Sequence, residues 1–481
     1  MNKSMQKQDH THNVLDTERV GSLLVKLATP AFFGMFVQTL YNVVNTIFIG
    51  HSVGPLAIAG LSIVFPIQML FMGIGMMVGM GGTSLISRFI GSGDTAKAER
   101  TLGNGVTCIT ILSILITALI LPNVNSFLRL IGASDEVLPY AREYLIIIVS
   151  GTIFNVTGMA LLNFVRAEGN ARVGMIANML GAILNIILDA ILIVGLHMGV
   201  KGAALGTVIA QIATLIYLGI YYLSGSSYLK FHTSNLRLDI KILKSMFSIG
   251  ISSFVQTVAG SLSAMFLIRQ VVIYGGDIYL SAFGIIQRVM MFATMPAMVI
   301  GQGVQPILGF NYGARRFSLA LKALKIAAIA STTLSLLAFT VLYFIPGPII
   351  KIFSTDPALV AAGAHASKLI FLSMPLMGFV MVGSTSFQSI GKAVQAFITA
   401  IVRPVVFLIP AVILLPRFLH LEGVFLSFPT SDLLTLILTI ILLVPIIKEF
   451  RKAAIAEKQG KTGPPSAKPI LDSAESNRLL D

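Results

Sequence analysis

Apolar residues in this chain come in long blocks with few charges, and short polar breaks separate the blocks along the whole length. Each block is long enough for a helix of roughly 20 residues to cross a hydrocarbon core of about 30 Å. The pattern predicts an all-α integral membrane protein with twelve spans, at 22–49, 57–87, 101–122, 141–165, 173–195, 200–223, 246–274, 280–308, 321–345, 365–390, 394–416 and 421–447. An even number returns both termini to one side. The expected organisation is a polar segment 1–21, an N-terminal six-helix lobe 22–223, a linker 224–245, a C-terminal six-helix lobe 246–447 and a polar tail 448–481 that reads as disordered.

Composition agrees with the pattern. Hydrophobic residues make up 55% of the chain and charged residues 11%, where a soluble domain carries about a quarter. Mean hydropathy is +0.87. The net charge of +14 would point to nucleic acid in a soluble protein. Here it is topological. With both termini in the cytoplasm, only seven Lys and Arg fall on the opposite face: Arg129, Arg142, Lys201, Arg269, Lys351, Lys368 and Arg417. Such a bias is what the positive-inside rule requires. The N-terminus has no short apolar core before a cleavage site, so no cleaved signal is expected. The single cysteine, Cys108, excludes an internal disulfide.

The tetrapeptide FVQT occurs at 36–39 and again at 254–257, 218 positions on. Other landmarks keep nearly that spacing. Lys26 pairs with Lys244, Asp135 with Asp356, the glycine of RAEGNA (166–171) with that of QSIGKA (388–393), and Gly202 with Gly423. The Gly-rich turns GGTSLISRFIGSGD (81–94) and GQGVQPILGFNYGA (301–314) also correspond. The chain therefore reads as a duplicated six-span unit. Six is even, so the copies form a parallel repeat about an axis along the membrane normal. Two like bundles around a cleft suit alternating access.

Charge inside a bilayer is costly and marks function. Asp189 and Asp432 sit well within predicted spans. Asn185 and Asp189 lie at i and i+4 on one helix face, and Asn178 stands two turns back on the same stripe. At 1.5 Å per residue Asp189 is about 24 Å from the inner surface. Thr207 in span 6 and Asn45 in span 1 reach a similar depth. Gln38, Asn42 and Asn45 share one face of span 1. This set offers a carboxylate, amide oxygens and a hydroxyl. Those groups suit Na⁺, by analogy with other hard cations, and the acid alone can carry a proton. A plain helix–helix hydrogen bond is the bland alternative. The C-terminal lobe has Gln256, Gln287, Arg288, Arg403 and Asp432. A pair of Asp432 with Arg288 or Arg403 would offset a buried charge, as a gate or as a static contact.

The segments TLYNVVNTIFIG (39–50), RAEGNARVGMIANMLGAILNIILDAILI (166–193), GVKGAALGTVIAQ (199–211) and GQGVQPILGFNYGARRF (301–317) resemble the signatures of the multidrug and toxic-compound extrusion (MATE) family. The resemblance covers about 20–447 and is greatest to the MepA-like and DinF-like branches. It implies two six-helix lobes forming a V in a cytoplasmic membrane. It also implies export of small lipophilic cations, exchanged for H⁺ or Na⁺ without ATP or another cofactor. Within the family, Asn185, Asp189 and Thr207 match an N-lobe coupling site, where the position of Asn45 is often Asp. An acid being absent there, the resemblance puts the carboxylate burden on Asp189. Another branch uses acids in spans 7 and 10. This chain has Gln256 in the first and none in the second.

Other motifs add little. GKT at 460–462 lacks the upstream glycine and strand of a phosphate loop. The seven histidines form no ligand pair, so no metal site is expected beyond Na⁺ at the coupling site. Methionines crowd spans 2 and 8, where they line a flexible cavity or simply pack. Partners are therefore small cations and membrane lipids, with no nucleic acid, and the expected state is a monomer. A flippase for lipid-linked saccharides is the alternative function. It would need several deep Lys or Arg to meet phosphates, and only Arg288 stands out. An embedded enzyme would need clustered Asp or His, which the sequence lacks.

Overall fold

The computed structural model describes residues 14–52 and 55–458. Among them all regular structure is helical, as expected where no water can satisfy backbone groups and each helix must satisfy its own. Ten helices among the described residues are long and apolar enough to cross a membrane. An eleventh passage combines Leu138–Ser150 with Thr152–Ala167, bent by 54°. Ile240–Gly313 has 74 residues, roughly 110 Å of helix, far too long for one passage. It breaks at Gly276, whose φ of 65° is left-handed, and so makes two. Twelve passages are thus accounted for.

In chain order, span 1 is Val20–Ser52, span 2 Pro55–Gly91, span 3 Thr95–Ile120, span 4 the bent pair, span 5 Ala171–Gly195 and span 6 Gly199–Leu223. Spans 7 and 8 are the two arms of Ile240–Gly313. Span 9 is Phe317–Phe344, span 10 Pro357–Ser389, span 11 Ala393–Leu414 and span 12 Pro416–Lys458. Residues 448–458, expected in a disordered tail, instead continue span 12. Phe450 gives that extension a buried face, with its ring 5.7 Å from Tyr312 and 5.4 Å from Phe317. Glu457 accepts a bond from the Ser318 amide at 3.4 Å. Residues 459–481, including GKT, and the first thirteen lie outside the described ones.

By packing the chain forms two compact units. One holds Thr29–Gly250, and the other holds Glu18–Ala28 with the described residues from Ile251 on. The first turns of spans 1 and 7, separated by the repeat distance, are thus exchanged between the units. In the first unit Gly81 lies against the Met246 backbone carbonyl and Gly250 against that of Met77, so spans 2 and 7 touch main chain to main chain. In the second, Gly303 of span 8 faces Leu24 and Ala28 of span 1. Small residues are the usual means of such approach where apolar surface gives no preference for helix over lipid.

The duplication is also written in the turns. Left-handed φ angles occur at Gly93 and Arg315, Gly169 and Gly391, and His197 and His420. Members of each pair stand 222 or 223 positions apart. One pair has glycine in both copies and one has it in a single copy, while Arg315, His197 and His420 take a positive φ with a larger side chain. Gly202 and Gly423 each face the carbonyl of the preceding span, at Leu192 and Leu415.

The segment joining spans 6 and 7 docks on the first unit. Asn104 of span 3 donates to the carbonyls of Asn235 (3.3 Å) and Arg237 (3.1 Å) and accepts from the Asp239 amide at 2.6 Å. Glu168, just past span 4, fixes the start of the segment. Its Oε2 accepts from Tyr221 (3.1 Å), Ser227 (2.7 Å) and the Tyr228 amide (3.2 Å). Burial pushes the Glu168 carboxyl up to about 7, and the bonds from Ser227, Tyr221 and the Tyr228 amide oppose the shift.

This packing can be tested at two positions. Gly81→Ala puts a methyl group into the Met246 carbonyl and should cost about 1–3 kcal/mol, read as a lower melting temperature in lipid nanodiscs. Gly158→Ala, where a methyl meets nothing within 4 Å, should not lower it. The raised Glu168 carboxyl gives a pH dependence of known sign. Its contribution to stability is complete below about 4.5 and lost as pH rises through about 7. In Glu168→Gln that part of the pH–stability curve should flatten, and an unchanged curve would remove Glu168 as its source.

Candidate functional site

Asp189 ends the regular part of span 5, in a helix built from Ala171–Asp189. The next residues, Ala190–Gly195, form a widened π turn, in which the Leu196 amide donates to the Ile191 carbonyl five residues back at 2.8 Å. Single π turns inside helices often adjoin functional side chains. Asp189 is 0% exposed and Asn185 2%. The Asn185 amide is satisfied when Nδ2 donates to Asp189 Oδ2 (3.1 Å) and Oδ1 accepts from the Thr207 amide (3.2 Å). In the opposite orientation Nδ2 reaches only Thr207 Oγ1, at 3.3 Å. The first orientation leaves a donor on the buried carboxylate and is the one the charge favours.

Asp189 Oδ1 is different. It is buried and has no hydrogen-bond partner among the described residues. Gly206 of span 6 makes the room it occupies, since a methyl there would lie 2.6 Å from Oδ1. Tyr41 of span 1 and Tyr144 of span 4 stand within electrostatic reach of Asp189, and Gln68 of span 2 donates to the Tyr144 hydroxyl at 3.4 Å. One helical turn beyond Tyr41, Asn45 Oδ1 is also buried without a partner. The first unit thus gathers oxygen acceptors whose missing counterpart is a donor or a cation.

The structure brings Asn185, Asp189 and Thr207 of the expected set into one cluster. The side chain of Asn42 lies outside the described residues. Gln38 is exposed. Asn178 is half-buried on span 5 and faces Gly34, where a methyl would lie 3.2 Å from its amide nitrogen. Sequence reasoning missed Tyr41, Tyr144, Gln68 and Gly206. Tyr41 had a signal, for it stands three residues after Gln38 and four before Asn45 on one helix face. Gly206 gave none, because its role is the absence of a side chain.

In the second unit Asp432 is 2% exposed. Its Oδ1 accepts from Arg403 Nε at 2.7 Å and its Oδ2 from Ser373 Oγ at 2.6 Å. Of the two arginines considered from sequence, Arg403 makes the pair. Arg288 is exposed, Gln256 likewise, and Gln287 is half-buried. Arg403 also lies within a π turn, Val402–Leu408. There the Ile409 amide donates to the Pro404 carbonyl five residues back, and Pro404 and Pro410 lack the donors that would close ordinary turns. No group of three His, Cys, Asp or Glu able to hold a metal occurs among the described residues.

The MatE family model matches residues 30–191 and 249–413, one stretch in each half of the repeat. The multidrug export protein MepA of Staphylococcus haemolyticus is 27% identical over 401 residues, 83% of this chain and 88% of that protein. A solved structure described as "Crystal structure of MATE in complex with MaL6" is 25% identical. It superposes with a TM-score of 0.87 over 92% of this chain and 99% of that one. A further solved chain, called "protein A", is 39% identical with a TM-score of 0.84, covering 90% of this chain and 97% of that one. With both halves matched by the family model, the chain belongs to the MatE family of multi-pass membrane transporters, which are not enzymes.

Proposed function

We propose that this chain exports small lipophilic cations across a cytoplasmic membrane by secondary active antiport, and that a proton or Na⁺ entering at Asp189 drives it. The observation that carries the reading is the buried Asp189 Oδ1, held open by Gly206 and left without a donor. A carboxylate in that state is expensive until it gains a proton or a metal cation. Asn185 holds the other oxygen, so binding and release are focused on one atom. Alternation between states that open the site to either side would couple its loading to release of the drug. Prolines distributed through the spans, among them Pro30, Pro296 and Pro404, supply bending points. The unit of function is a monomer in lipid, with both termini cytoplasmic and no bound cofactor.

Both H⁺ and Na⁺ fit the oxygen set, and gradients separate them. The protein in liposomes, given a proton or a sodium gradient in turn, should move a fluorescent lipophilic cation under one of the two. Asp189→Asn should abolish that movement. Full transport in the variant would remove Asp189 from coupling. No movement of any cation under either gradient would overturn the export reading and leave the amphipathic-lipid alternative.

Gly206→Ala tests the space rather than the charge. Crowding Oδ1 should weaken coupled transport by about tenfold, equivalent to about 1.4 kcal/mol of ion affinity, while the protein still folds. Wild-type coupling with a methyl at 206 would mean that this space is not where the ion enters.

A further inference from the structure

Glu168, Asp189 and Asp432 are the buried acids among the described residues, and the latter two lie within spans. Their oxygens are treated differently. Asp189 has one oxygen without a partner. Asp432 has both filled, by the Arg403 guanidinium at 2.7 Å and the Ser373 hydroxyl at 2.6 Å. A guanidinium at that distance stands where a bound cation would stand. It is also tethered. Arg403 directly precedes Pro404, whose carbonyl accepts from Ser263 Oγ of span 7 at 2.8 Å, so the backbone carrying the arginine is tied to a second helix. Its side chain is 30% exposed, while that of Asp432 is 3% exposed. The cation thus covers the acid from its less buried side.

We propose that Arg403 is a built-in cation that closes the carboxylate of the second unit to exchangeable ones, and that Asp432 with Ser373 forms a cation site which opens when the arginine side chain is removed. The ligand class is a small monovalent cation: guanidinium itself, Na⁺ or a proton. Arg403 is a positioning residue, acting through Asp432. The consequence for transport, that ion exchange is confined to the first unit, rests on the coupling role proposed for Asp189. The cation site does not rest on it.

The physical reason lies in what a buried carboxylate requires. Removing one member of a buried ion pair leaves the other uncompensated, which is far costlier than removing both. The vacated space has the size and planarity of a guanidinium. An added guanidinium ion can therefore recover what the substitution removes, and a neutral molecule of similar shape, such as urea, cannot.

The test uses the full chain in lipid nanodiscs. In Arg403→Ala, guanidinium at low millimolar concentration should raise the melting temperature by about 2–4 °C. Urea at the same concentration should not, and neither should guanidinium with Arg403→Ala/Asp432→Asn. Arg403→Lys keeps a tethered cation and should show no rescue. Binding of ²²Na⁺ and proton uptake are then counted in Asp189→Asn and in Asp189→Asn/Arg403→Ala. One exchangeable cation should be absent from the first and present in the second. Rescue by urea as well as guanidinium, or no rescue in a folded Arg403→Ala protein, overturns the proposal. If Arg403→Ala does not fold but Arg403→Ala/Asp432→Asn does, neutralising Asp432 is confirmed as the role of the arginine. If neither folds, Arg403 packs for its own sake and the proposal fails. If Asp189→Asn keeps its exchangeable ion, coupling at Asp189 fails, and the guanidinium comparison still decides the site at Asp432.

Discussion

A carboxylate cannot stand bare in the interior of a helical bundle, and this requirement organises both halves of the protein. The Coulomb field of a buried charge is weakly screened, and its lost hydration must be replaced by donors or by an opposite charge. Each unit buries one acid within its spans and meets the requirement in its own way. At Asp432 a fixed guanidinium and a hydroxyl complete the shell. At Asp189 an amide fills one side, and the other is left open beside a glycine. The first arrangement is finished within the chain. The second, on the coupling role proposed for Asp189, is finished by a proton or cation from outside. A transporter needs the second kind, because a site that the protein can satisfy alone gives no reason to exchange ions.

Helix geometry makes these two arrangements possible. In an even α-helix the face that meets a neighbour is set by spacing alone. A π turn adds a residue and rotates the rest of the helix about its axis. Asp189 directly precedes one such turn and Arg403 lies within another. Both turns are in the fifth helix of their unit. The helices around them come close through glycines: Gly81 and Gly250 at main-chain contact, Gly202 and Gly423 against the ends of the preceding spans. Neighbouring backbones that touch leave little freedom for the side chains between them, and so hold a carboxylate or a guanidinium in one place.

Much of the architecture was legible in the sequence because the membrane simplifies the code. Apolar blocks gave twelve passages, and shared glycines gave the repeat. Gly169 and Gly391 were visible because a left-handed turn selects glycine. Arg315, His197 and His420 adopt the same φ region without it and were invisible. The Asn185–Asp189–Thr207 cluster came from helical spacing and depth. The choice between Arg288 and Arg403 did not. Depth counted at 1.5 Å per residue does not say which way a side chain points, and the π turn at Val402–Leu408 redirects the face. The start of the tail was misread because polar composition hides a single buried face, here that of Phe450.

The buried acids also bear on how a duplicated protein comes to use its two halves differently. At the 222-residue spacing of Gly169 and Gly391, Asp189 corresponds to Ala411 and Arg403 to Gly181, and at the 221-residue spacing of Gly202 and Gly423, Asp432 corresponds to Gln211. The turns and close approaches were therefore kept in both copies, and the charges were not. Backbone features such as the Gly202 and Gly423 contacts are tied to packing that every helix in a copy shares, so both copies must retain them. A buried acid is tied only to the few groups that satisfy it, and it can be present in one copy alone if its partner arises there too. Ser373, Arg403 and Asp432 must then stand or fall together, whereas Asp189 depends on Asn185 and on the empty space at Gly206. The fold is symmetric where it is made of backbone and asymmetric where it is made of charge, and the step that distinguishes loading from unloading can reside in one unit while both supply the frame.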